Sequence, residues 1–75
     1  MLWRYSVNNS GSIQSSEEVE LDEIYPPTLC MTIMQGFMFQ DSWSPDTPYL
    51  VERFVDNRWA IIYASWNWRD EDDQE

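Results

Sequence analysis

The side chains in this chain that could do chemistry are carboxylates and indoles. Glu17, Glu18, Glu20, Asp22 and Glu23 fall within one short segment, and Asp70, Glu71, Asp72 and Asp73 open the closing run that ends in Gln74 and Glu75. Trp66 and Trp68 flank Asn67 just before that run. Proton transfer relies on His, or on carboxylates whose pKa values burial has driven apart. There is no His, and acids set in polar runs stay solvated and ionised. What these carboxylates offer is charge recognition. The indoles offer anchoring, because Trp is enriched where binding energy concentrates.

Other chemistries are excluded by residue type. Zinc requires several Cys or His ligands, and the chain has one Cys, Cys30, and no His. The acidic run lacks the Asp-x-Asp-x-Asp-Gly spacing of a calcium loop, and neither a Gly-rich phosphate loop nor a nucleophile elbow occurs. The sequence therefore points away from an enzyme and implies no cofactor and no metal site. Cys30 lies in the apolar run Leu-Cys-Met-Thr-Ile-Met and reads as a buried, inert thiol of a reducing compartment.

Fourteen Asp and Glu stand against four Arg and no Lys, a net charge of −10. Such a surface repels DNA, RNA and anionic lipid, so direct nucleic-acid or membrane binding is excluded, and a basic protein surface is the favoured partner. The amino-terminal run Met-Leu-Trp-Arg-Tyr-Ser-Val lacks the apolar core of a signal peptide, and no stretch reaches the ~20 apolar residues of a membrane span. The reading is a cytoplasmic protein. Asn8-Asn9-Ser10 matches a glycosylation sequon but is better understood as turn chemistry.

The elements that must position these groups are short. Seventy-five residues make one small domain over 1–69, with a flexible acidic tail at 70–75. Five Trp, four Tyr and three Phe compensate for a core limited by length, each ring burying roughly 150–250 Å². Leu2 to Val7 alternates, predicting a strand with Trp3, Tyr5 and Val7 inward. Over 17–24 a strand with Glu18, Glu20 and Asp22 outward is favoured over a helix capped at Ser15. Residues 28–35 fit a short helix after Pro27 and a buried strand about equally. Gly36 is expected to interrupt or end either one, with a further strand from Phe37 to Trp43.

The densest stretch is a hairpin at about 49–67, expected to supply much of the core. A two-residue turn at Asp56-Asn57 would pair Val55 with Arg58, whereas a three-residue turn would pair Val55 with Trp59. The second register groups Tyr49, Val51, Val55, Trp59, Ile61 and Tyr63 on one face and is preferred for that reason. If the strand persists, Trp66 and Trp68 share a face. The fold class is mainly β, a small antiparallel sheet of four to five strands with room for one short helix, which makes α+β the alternative.

Two functional expectations follow. In the first, the protein is an inhibitor that imitates nucleic-acid charge. Glu17, Glu18, Glu20, Asp22 and Glu23, with the tail, occupy the basic surface that a nucleic-acid-binding protein uses for phosphates, at strand spacings commensurate with two phosphate steps. In size and charge the chain resembles the small acidic inhibitors that phages encode against host restriction or CRISPR machinery. In the second, a small adaptor or subunit, homodimeric in one form, binds through the aromatic hairpin and its Trp66 and Trp68 end, with charge serving solubility.

Overall fold

A computed structural model gives the architecture and describes residues 1–9, 12–40, 43–44 and 46–68. The elements run β1 (Leu2–Asn9), β2 (Ser12–Glu20), α1 (Pro27–Gln40), β3 (Tyr49–Val55) and β4 (Arg58–Ala64). The strands form one antiparallel sheet in the order β2-β1-β3-β4. Among the described residues the fold is thus mainly β with one helix, within the class that the sequence predicts.

β1 is the organising strand, flanked on both sides. Its alternation sends Trp3, Tyr5 and Val7 to the face that α1 covers, and all three are buried. Cross-strand register adds Val19 from β2 and Tyr49 and Val51 from β3 to that face. The helix contributes Cys30, Met34 and Met38, a stripe at i, i+4 and i+8. Cys30 is a free thiol within this core. The expectation that the 49–67 hairpin supplies much of the core is half corrected. β3 does so through Tyr49, Leu50 and Val51, but β4 buries nothing fully, because among the described residues it is an outer strand with a neighbour on one side only.

Between 28 and 40 the helix prevails. Pro27 occupies the first helical position, where its missing N–H is no loss, and the carbonyl of Pro26 accepts from the amides of Leu29 (3.0 Å) and Cys30 (3.1 Å). Leu, Met and Gln are strong helix formers. Gly36 does not end the helix, and the strand expected from Phe37 does not form. The helix runs through to Gln40 and leaves Phe37 and Phe39 exposed. A Cβ added at Gly36 meets nothing within 4 Å, so Gly36→Ala should raise stability by about 0.5–1 kcal/mol through lower chain entropy, measured by urea denaturation.

The hairpin uses both registers. The turn is the two-residue one, pairing Val55 with Arg58, and Asp56 (φ 55°) and Asn57 (φ 64°) are both left-handed. Two left-handed residues make a type I′ turn, whose twist matches the strands. The preferred three-residue turn is therefore overturned. A bulge between Val51 and Glu52 on one side, with Ile62 as the extra residue on the other, then shifts the pairing so that Val51 meets Tyr63 and Leu50 meets Ala64, the register that the longer turn would have set throughout. The bulge returns Tyr63 to the helix-covered face, 5.5 Å from Tyr49 between ring centroids, while Trp59 and Ile61 fall on the opposite face with Phe54 and Glu52. Asn57→Gly should stabilise the hairpin by a few tenths to about 1 kcal/mol, since Gly carries no left-handed penalty. A rise in the urea midpoint checks it.

Candidate functional site

Glu17, Glu18 and Glu20 extend along β2, an outer strand of the sheet, and all three are exposed. Alternation separates them. Glu18 lies opposite Arg4 and Glu20 opposite Leu2 on the face away from α1, whereas Glu17 lies opposite Tyr5 on the helix face. β2 ends at Glu20, so the predicted outward ladder of Glu18, Glu20 and Asp22 is cut to two rungs. Asp22 and Glu23 belong instead to the turn that follows and are exposed there.

Donors hold three of these carboxylates in place. The Tyr5 hydroxyl donates to Glu17 Oε1 at 2.8 Å, and the Ile24 amide donates to Asp22 Oδ1 at 3.1 Å. The amino-terminal ammonium of Met1 bonds Glu20 and, at 2.7 Å, the carbonyl of Leu21. That ammonium is held above its ordinary 8.0 mainly by its hydrogen bond to Glu20, with Glu23 and Asp22 adding smaller effects. A cavity of about 130 Å³ beside it is lined by Asp22, Glu23, Tyr25, Cys30 and Arg53 among others. Arg53 Nε is buried there without a hydrogen-bond partner among the described residues. The strip is thus less one-signed than its sequence implies, because Met1 and Arg53 both sit against it.

Comparison with family models, with curated proteins and with solved structures finds no match to the chain.

Trp66 and Trp68 are not brought together. The strand stops at Ala64, and a turn turns Trp66 out to 93% exposure while Trp68 is half-buried. The turn is tied down on several sides. Ser65 Oγ accepts from the Tyr49 amide (3.0 Å) and donates to Asn67 Oδ1 (2.6 Å), Asn67 Nδ2 donates to the Asp46 carbonyl (2.8 Å), and the Trp68 amide donates to the Ser65 carbonyl (3.0 Å). Nor do the indoles join the acids of β2 and its turn. By register Glu20 lies at the Leu2 and Arg53 end of one outer strand, and Trp66 follows the Ala64 end of the other. Asp70, Glu71, Asp72 and Asp73 lie outside the described residues.

Two features escaped the sequence reading. The first is a buried charge cluster on the face away from α1, where Arg4 donates to Glu52 Oε1 from Nε (3.0 Å) and Nη2 (2.8 Å) and its guanidinium lies 4.0 Å from the Trp59 ring centroid. Two adjacent charges inside Tyr-Leu-Val-Glu-Arg-Phe-Val were the available signal, since a charge in an apolar strand asks for a partner. The second is the outer face of α1, which carries no charged residue. An open groove of about 550 Å³ there is lined by Ile33, Gly36, Phe37, Phe39 and Gln40. Among the described residues, no three metal-ligating side chains converge, and no helix is long and apolar enough to cross a membrane.

One titration reports on the packing of α1 against the sheet. Burial pushes the Tyr49 phenol above its ordinary 10.0, and the hydrogen bond from Gln35 Nε2 (2.9 Å) opposes the shift by favouring the phenolate. A pKa raised in the folded state gives stability that is complete below pH 10 and is lost as pH rises through the folded value. An ultraviolet absorbance titration should show a phenol phase above the ordinary range that Tyr49→Phe removes.

Proposed function

We propose that this protein is a small acidic inhibitor that docks its β2 edge and the following turn on the basic surface with which a partner binds nucleic acid. The observation that carries this reading is that Glu17, Glu18, Glu20, Asp22 and Glu23 are all exposed along one strand edge and turn with no basic side chain among them in sequence. The hydrogen bonds to Glu17 and Asp22 add to it, because carboxylates already held in place lose little freedom on binding. Exposed acids on an outer strand steer toward a basic partner and set the rate and salt dependence of association. A phage-encoded inhibitor of a restriction or CRISPR system is one setting in which such a surface serves, and the cytoplasm of the host cell is where it would act.

The test is capture from a candidate host lysate on the immobilised protein, eluted by salt and, separately, by duplex DNA. A nucleic-acid-binding protein should be retained, released by DNA, and weakened by about tenfold or more as salt is raised several-fold. The variant combining Glu17→Gln, Glu18→Gln, Glu20→Gln, Asp22→Asn and Glu23→Gln should capture nothing. Undiminished capture by that variant, or salt-insensitive capture abolished by Trp66→Ala, overturns the reading in favour of an adaptor that binds through the hairpin end.

A further inference from the structure

The two outer strands of the sheet are protected differently. An outer strand offers a row of unpaired N–H and C=O groups on which another strand can build, and charged side chains are the usual guard. β2 has that guard in Glu17, Glu18 and Glu20. β4, Arg-Trp-Ala-Ile-Ile-Tyr-Ala, has one charge, Arg58, at its turn end. It exposes Ile61 (59%), Ile62 and Tyr63, with Phe54 beside it at 5.1 Å from Trp59 between ring centroids, and Trp66 just beyond. By antiparallel alternation from the Val55 and Arg58 pair that closes the turn, Trp59 and Ile61 direct their backbone groups away from β3.

We propose that two copies of this chain pair antiparallel through β4 into one continuous eight-stranded sheet. Charge permits a second copy on this strand, and two-fold closure favours it. A chain of net charge −10 approaches itself most readily where carboxylates are absent, and β4 has none. In the paired sheet the two β2 strands lie seven inter-strand steps apart, roughly 34 Å at ~4.8 Å per step. That is several times the Debye length of about 8 Å at physiological salt, so their repulsion is screened. Antiparallel pairing also sets the two Arg58 side chains at opposite ends. The arrangement is isologous and closes, whereas β4 on β2 would propagate without end and set apolar side chains against carboxylates.

The exposed area bounds the strength of the association. With side chains of roughly 150–250 Å², the exposed parts of Phe54, Ile61, Ile62, Tyr63 and Trp66 amount to on the order of 500 Å² per copy. Complete coverage of these side chains in both copies would bury at most about 1,000 Å², the lower bound of specific association, so the pair belongs to the weak, concentration-dependent class. The Ile62 bulge confines regular strand pairing to the turn side, so Tyr63 and Trp66 join the interface only through side-chain contacts beyond the paired segment.

Light scattering coupled to size exclusion tests the proposal independently of the acidic surface. At about 100 μM, a concentration suited to an interface of this size, the mass should be 18.0 kDa, twice the 9.0 kDa of one chain. Ile61→Lys puts a charge on an already exposed site and should weaken association about tenfold or more with an unchanged circular dichroism spectrum. Leu29→Lys on the outer face of α1, and the variant neutralised at all five β2 and turn acids, should both remain dimeric. A monomeric wild-type chain overturns the proposal, as does a dimer that survives Ile61→Lys or one lost instead through Leu29→Lys.

Discussion

Trp3→Ala is expected to cost about 3–5 kcal/mol, the range for truncating a buried Trp. A chain of 75 residues has roughly 4–11 kcal/mol of total stability at 0.05–0.15 kcal/mol per residue, so this one change removes a large part of it and the lower end of that range leaves no folded state. The reason is position. Trp3 is only 2% exposed on a strand with neighbours on both sides, opposite Val19 on one and Arg53 on the other, and its ring is part of the core that α1 closes. The same truncation at Trp66 should change stability by no more than about 0.5 kcal/mol, as for other surface sites. Urea unfolding of the two variants side by side checks the contrast. Equal losses at concentrations where the chain is monomeric would mean that Trp66 packs against the fold.

Arg4→Ala is expected to cost about 2–4 kcal/mol, because it leaves the Glu52 carboxylate buried without its counter-charge and removes the cation from the Trp59 ring. Glu52 is the more buried partner, 10% exposed in its side chain against 25% for Arg4, so Arg4→Ala should cost more than Glu52→Ala, which leaves the more solvated ion behind. Replacing both by Met should recover most of the loss, since an apolar pair of similar volume avoids both desolvation costs. A double-mutant cycle on urea midpoints measures this. A double variant as unstable as Arg4→Ala would show that the pair does more than neutralise itself, for instance by holding the register of β1 on β3.

Much of the architecture was legible because it follows from short-range rules. The alternation of Trp3, Tyr5 and Val7 predicted β1 and its inward face, and Asp56-Asn57, tolerant of positive φ, permitted the turn that closes the hairpin. Where two periods fitted, the outcome depended on remote neighbours. Phe37 and Phe39 alternate like a strand, but Cys30, Met34 and Met38 line one side of a helix, and the sheet face formed by Trp3, Tyr5 and Val51 rewards that side. The hairpin register was undecidable locally for a similar reason. Turn chemistry favours one pairing and the union of Tyr49 with Tyr63 favours another, and a bulge accommodates both.

The candidate site was legible in kind but not in placement. Sequence alone determined that the chain is strongly acidic, that catalysis by His or metal chemistry by Cys and His lies outside its residue types, and that its fold is a small antiparallel sheet. Charge and periodicity are properties of the residues and their order, and they survive any arrangement. Only the tertiary structure decided that Glu17, Glu18 and Glu20 lie on one outer strand while Trp66 follows the end of the other, that Arg53 and the Met1 ammonium border the acidic strip, and that Glu52 is buried with Arg4 rather than displayed. Those outcomes depend on the strand order β2-β1-β3-β4, which pairs residues far apart in sequence, and on the helix choosing one face of the sheet.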